Sequence, residues 1–261
     1  MRSYNTKIFS EFFNKINYTL HLFPTYPNVI TEQININKDS NNEDINKKRF
    51  SFINGIAVPS KLGINNKYNY YLNNNIHEFS ENNSFGKCGS RVLCGLDIEL
   101  NKINVKIFTT QFGMDVNERI NSAKIIHDLF KNDNNNIILT GDFNSFPGKE
   151  HESDKQIEII EQTFKRISKD ITNQYNIPNN GTFIGMRPVE DEKYCINLEN
   201  GQMVGWLDHI FIKNKMDNQT ECLKCQIITP ETDINNKEKC LYDRLYPYSD
   251  HCALWAVIQI I

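Results

Sequence analysis

Three short stretches carry residues whose types and spacing could do chemistry. Ile137-Ile138-Leu139-Thr140 runs into Gly141-Asp142-Phe143-Asn144, an apolar β-forming run that ends on a carboxylate and an amide two residues apart. In extended backbone, residues i and i+2 share a face, so Asp142 and Asn144 present together while Phe143 points the other way. Trp206-Leu207-Asp208-His209-Ile210-Phe211-Ile212 sets one carboxylate inside an otherwise apolar strand, where it needs a hydrogen-bonding or charged partner. Ser249-Asp250-His251 stands just before the last apolar run, Ala253 to Ile261. Carboxylates and an imidazole are the groups of acid–base and metal-ligand chemistry. Each stretch alone also has a structural reading, since Asp, Asn and Gly are ordinary turn formers. Their occurrence together, in this order, is the more specific signal.

The elements that must position them alternate strand and helix. Arg91–Leu100 and Ile103–Thr110 read as two strands joined by a tight turn at Asn101-Lys102. Asp115–Lys131 is the clearest helix, with Ile120, Ala123, Ile126 or His127, and Phe130 along one face and Asp115 or Asn117 as its cap. It leads through Asn132–Asn136 into the strand that ends at Asp142. The spacing predicts further helices over 8–23, closed by Pro24 and Pro27, and over 153–171, with Ile157, Ile160 and Phe164 as its apolar line. Strands are predicted at 28–33, 50–58, 69–72, 203–213, 223–228 and 253–261, a turn at Asn180-Gly181, and polar loops at 35–48 and 73–90. This rhythm is that of an α/β domain. With no repeat and no linker, the economical organisation is one domain over 1–261, with Asn-rich loops in its 1–90 part.

Composition narrows the classes. The chain has 261 residues, 39% of them hydrophobic, a net charge of −3 and a pI near 6.1, so no broad basic field marks a general nucleic-acid binder. No run reaches the roughly 18 consecutive apolar residues of a membrane-spanning helix. Met1–Asn5 is not followed by the apolar core of a secretory signal. Seven irregularly spaced cysteines fit reduced thiols, so the expected location is intracellular and cytoplasmic. The abundant asparagine reflects codon composition and belongs in loops; it also produces glycosylation-like triplets by chance, as at Asn17-Tyr18-Thr19.

Other motifs fail. Between Gly141 and Gly148-Lys149 lie six residues rather than the four of a P-loop, and Glu150 stands where a Ser or Thr should follow. Cys222-Leu223-Lys224-Cys225 is half of a zinc site without a second pair. No Gly-x-Ser-x-Gly elbow exists.

The three stretches together resemble the endonuclease/exonuclease/phosphatase superfamily, with its Gly-Asp-x-Asn strand end, its Asp in a Leu/Ile-Asp-aromatic/His-Ile-Phe strand and its Ser-Asp-His before the C-terminal strand. Thr182-Phe183-Ile184-Gly185 is similar to a Thr-Phe-His-Gly run of some members, and Arg91-Val92-Leu93, Ile107-Phe108-Thr109-Thr110 and Arg119 to the family's middle. The resemblance covers about 91–150 and 181–261. It implies a DNase I-like α/β sandwich of four layers, two packed and mostly antiparallel sheets flanked by helices, with the site at one end. It further implies a Mg²⁺-dependent (or Mn²⁺-dependent) phosphoesterase acting as a monomer on a nucleic acid, a phosphoinositide or a phospholipid headgroup. Asp142 would be general base or metal-associated carboxylate, and Asn144 would orient water or phosphate. Asp250 would ligate the metal, His251 would contact the phosphate, and Asp208 would hold the His251 ring.

Two departures qualify the match. The family's N-terminal Asn falls on Asn5, but a gapless match of its Gln-Glu pair places Gln33 on the Gln and Ile34 on the metal-binding Glu; Glu32, on the same strand face as residue 34, is the carboxylate that could serve. Gln111 stands where a phosphate-binding His is usual, offering a hydrogen bond without a charge. A phosphatase or sphingomyelinase-like lipid hydrolase, and a pseudoenzyme or binding module on the same fold, are the alternatives.

Overall fold

Val92–Leu100 (β4) and Ile103–Gln111 (β5) form the hairpin around which the main sheet is built. Asn101 and Lys102 both adopt positive φ, 51° and 68°, the twist that a two-residue hairpin turn requires. The computed structural model describes residues 6–24, 53–72, 91–145, 155–168, 172–173, 182, 207–214, 220–228, 251 and 253–260. Its other strands are Tyr18–Pro24 (β1), Ile53–Pro59 (β2), Ile64–Tyr71 (β3), Asn136–Asp142 (β6), Lys165–Arg166 (β7), Thr172–Asn173 (β8), Asp208–Lys213 (β9), Thr220–Ile228 (β10) and Ala253–Ile260 (β11). Its helices are Thr6–Lys15 (α1), Val116–Phe130 (α2) and Lys155–Glu161 (α3).

Six strands make a mixed sheet in the order β3-β4-β5-β6-β9-β7, with β1-β2 and β11-β10-β8 as smaller sheets. β5 and β6 run parallel because α2 carries the chain back between them, whereas β9 enters antiparallel to β6. Alternation divides the main sheet's side chains between two cores. Leu93, Phe108, Ile137, Leu139 and Phe211 meet Ala123, Ile126 and Phe130 of α2 and Ile157 and Ile160 of α3. Leu96, Ile98, Val105, Ile107 and Ile138 meet Phe23 of β1, Ile56 and Val58 of β2, and Ile260 of β11. β6 is thus covered on both faces, which is why it reads as an uninterrupted apolar run. Gly95 opposes Phe108 in the hairpin, and the ring occupies the place a Cβ would take, 2.3 Å away.

Two expected helices are shorter than their periodicity suggested. The helical spacing over 8–23 holds only to Lys15: Asn17 takes φ 60°, and Tyr18–Pro24 becomes a strand paired residue for residue with β2. Its aromatic and β-branched residues suit a strand, and pairing overrides the spacing. The predicted 153–171 helix ends at Glu161; the turn closed by Phe164 N–H on the Ile160 carbonyl, 2.9 Å, sends Lys165 and Arg166 against β9. Ile157, Ile160 and Phe164 are nonetheless all buried, as expected. The predicted strand at 69–72 starts earlier, at Ile64. α2 matches its prediction, with Asp115 as the cap accepting from Glu118 N–H at 3.0 Å. The segments 28–33, 35–48 and 73–90 and the turn at Asn180-Gly181 lie outside the described residues.

Candidate active site

The register of the main sheet brings Gln111, Asp142 and Asp208 abreast on adjacent strands: Gln111 pairs with Asp142, and Asp142 with Asp208. They lie on the face shared with Ile107 and Ile138, so the row sits at the end of the core between the main sheet and its smaller partners. The ladder continues one residue beyond β6 on both sides. Phe112 N–H donates to the Asp142 carbonyl at 2.8 Å and Phe143 N–H to the Leu207 carbonyl at 2.7 Å.

Local chemistry explains how this strand end is held. Gly141 has φ 150°, and a Cβ there would stand 2.1 Å from the Thr110 carbonyl oxygen, so only glycine lets β5 and β6 stay paired at this point. Asn144 has φ 48°, its backbone N–H donates to Asp142 Oδ1 at 2.9 Å, and its Nδ2 donates to the Phe112 carbonyl at 2.7 Å. Asn144 thereby ties the ends of β5 and β6 together. Phe143 points to the opposite face, fully buried against Phe112 and Phe211 at ring distances of 4.9 and 5.1 Å.

On the other side, Asp208 Oδ2 accepts from His251 Nδ1 at 2.7 Å. A carboxylate only accepts, so Nδ1 carries the proton of this bond. Asp208 is anchored in turn by Thr182, whose Oγ1 accepts from the N–H groups of Asp208 and Leu207 at 3.0 and 3.1 Å. His209, next in the chain, is a structural histidine: it is buried, with Nε2 2.7 Å from Ser145 Oγ.

Burial pushes the Asp142 carboxyl up from its ordinary value, and the charge of Asp208 adds to that; the Asn144 N–H, the charge of His251 and the Gln111 amide oppose it. The arrangement is a proton acceptor with weakened acidity beside a carboxylate-oriented imidazole. Of the residues singled out in the sequence, the structure brings together Asp142, Asn144, Asp208, His251 and Gln111. Asp250, Glu32 and Asn5 lie outside the described residues, and among those described no group of three or more His, Cys, Asp or Glu could hold a metal ion. Sequence reasoning missed the roles of Thr182 and Arg91. Arg91 Nη1 donates to Gln111 Oε1 at 3.3 Å, and Gln111 Nε2 donates to Asp142 Oδ2 at 3.4 Å. Their signals were the resemblance of Thr182-Phe183-Ile184-Gly185 and Arg91-Val92-Leu93 to family runs, which gave neither residue a role.

No family model and no curated protein sequence matches the chain. Solved structures do. An endonuclease/exonuclease/phosphatase from Bacteroides vulgatus aligns with a TM-score of 0.59 at 15% identity, over 94% of this chain and 77% of its own. TDP2 of D. rerio, complexed with a single-strand DNA product, aligns at 0.56 and 10% identity over 97% and 82%. A mannosyl-6-phosphatase of Bacteroides thetaiotaomicron aligns at 0.51 and 16% identity over 80% and 71%. Among the described residues no helix is long and apolar enough to cross a membrane. The mixed six-stranded sheet and its agreement with these structures over most of the chain show that the protein has the endonuclease/exonuclease/phosphatase, DNase I-like, fold.

Proposed function

We propose that the chain is a metal-dependent hydrolase of phosphate esters, in the first place a phosphodiesterase or nuclease. The observation that carries this reading is the placement of Asp142 abreast of the Asp208–His251 pair at one end of this fold. Neighbours on the same fold include one described with a DNA product and one named a sugar phosphatase, which supports phosphate esters as the substrate class.

The residues act as follows. Asp142 takes a proton from the attacking water; the water oxygen bonds to phosphorus, and the ester P–O bond breaks with its electron pair leaving on the ester oxygen. Asn144, fixed between β5 and β6, helps line up that water. His251, its Nδ1–H committed to Asp208, acts as an imidazolium whose protonated Nε2 donates to the phosphoryl oxygens and stabilises the charge gathering there. Asp208 keeps the ring in that orientation. A hard divalent cation suits this site: two carboxylates lie side by side at the strand ends, and Asp250, Glu32 and Asn5 are further oxygen donors that would hold Mg²⁺ or Mn²⁺. When bound, the ion would supply Lewis-acid polarisation of the phosphoryl group.

The test is hydrolysis of bis(p-nitrophenyl) phosphate, followed by a panel of mononucleotides, oligonucleotides, inositol phosphates and sphingomyelin, with Mg²⁺ or Mn²⁺ and with a chelator. Expected is metal-dependent turnover that Asp142→Ala and His251→Ala each lower by about 100-fold or more. Turnover unchanged in both variants, or absent across the panel, overturns the reading. A panel without turnover would favour the binding-module alternative.

A further inference from the structure

Gln111 ends β5 with an exposed side chain whose amide is engaged from both sides. Arginine offers donors only, so the end of the amide that meets Arg91 is the carbonyl, 3.3 Å from Nη1. The opposite end, Nε2, is thereby turned toward Asp142 and donates to Oδ2 at 3.4 Å. Without Arg91, the amide is held only by its 3.4 Å contact to the carboxylate and its last torsion is soft and broad, so Nε2 would leave Asp142 readily.

We infer that Arg91 is a positioning residue for Asp142, acting through Gln111, so that the relay presents one orientation of the carboxylate to the attacking water. Its catalytic consequence rests on the hydrolase reading above; the relay itself rests on geometry. Both oxygens of Asp142 are held, Oδ1 by the Asn144 N–H and Oδ2 by Gln111. The charged and titratable groups facing Asp142 among the described residues are Asp208 on β9 and His251 ahead of β11. A guanidinium in direct contact would lock the carboxylate in an ion pair and weaken it as a proton acceptor. The neutral amide in between fixes its orientation and lowers its basicity less than an ion pair would. This also gives a use to a glutamine that stands where the resemblance leads one to expect a histidine.

The inference is tested with Arg91→Met, Arg91→Lys, Gln111→Ala and the Arg91→Met/Gln111→Ala double variant, assayed on bis(p-nitrophenyl) phosphate with Mg²⁺ or Mn²⁺. Arg91→Met is expected to lower kcat about tenfold or more, with KM within about twofold, because Arg91 acts on Asp142 and not on substrate. Gln111→Ala should do the same, the double variant should lose no more than Gln111→Ala alone, and Arg91→Lys should recover part of the loss. A raised KM at unchanged kcat in Arg91→Met, or additive losses in the double variant, would overturn the relay. Gln111→Ala truncates an exposed side chain, so its folding is not at risk.

A second readout needs no turnover. The side-chain ¹⁵N–¹H pair of Gln111, assigned by its loss in Gln111→Ala, should be displaced from the free-amide position and should return there in Arg91→Met. A pair already at the free position in the unmodified chain overturns the relay. A displaced pair in a chain that hydrolyses no phosphate ester supports the relay and overturns the hydrolase reading instead.

Discussion

Asp142 and Asp208 face one another directly across the β6–β9 strand pair, yet they are used in different ways. Asp208 is spent on the His251 ring at 2.7 Å, whereas Asp142 is held by hydrogen bonds from the neutral Asn144 N–H and Gln111 amide. The two carboxylates set side by side thus divide their partners, an imidazole for Asp208 and two neutral N–H donors for Asp142.

This division has a stability consequence at Asp142. Its carboxyl is pushed up by burial and then by Asp208, so the folded chain binds that proton more tightly than the unfolded chain does. Its contribution to stability is full below the ordinary carboxylate range and is lost as pH rises through the raised value. Asp142→Asn should therefore raise Tm at pH 7 by about 2 °C or more while cutting turnover about 100-fold. The stability gain should vanish below about pH 4. Thermal scans at both pH values in a chelator check the sign.

Asp208→Asn should act through the imidazole. An amide can present its NH₂ to Nδ1 and reverse the tautomer that the carboxylate enforces. The expected result is a fall in kcat of about 10–100-fold with little change in KM. The downfield Nδ1 proton signal of His251 should disappear in the same variant. A persistent signal with full activity would show that the ring is oriented by something else.

Thr182 makes a discriminating pair of variants. Thr182→Val keeps shape and leaves the N–H groups of Leu207 and Asp208 without their acceptor, which should cost on the order of 2 kcal/mol in urea unfolding. Thr182→Ser keeps the oxygen and should stay close to the parent. Equal losses in the two would assign the effect to packing.

Gly141→Ala places a methyl 2.1 Å from the Thr110 carbonyl oxygen at a φ of 150°. A destabilisation on the order of 2 kcal/mol or more is expected, since β5 and β6 must part or the backbone must leave its native conformation. Chemical denaturation measures it. A neutral result would mean that this strand end relaxes freely, which would also undercut the fixed placement of Asp142.

The amino-acid sequence by itself determined what is settled within a few residues. The Asn101-Lys102 turn, the Asp115 cap with the helix behind it, the apolar run into Gly141, and the opposite facing of Asp142 and Phe143 all follow from local periodicity, capping and backbone sterics. Tertiary structure alone decided the rest, because pairing across the sheet joins residues far apart in the chain. It made Tyr18–Pro24 a strand through β2 and cut α3 short in favour of β7 on β9. It also placed the Thr182 hydroxyl under Asp208 and the Arg91–Gln111 pair beside Asp142. Such contacts depend on strand register, which no local spacing encodes, and so the parts of Thr182 and Arg91 in the site became visible only in three dimensions.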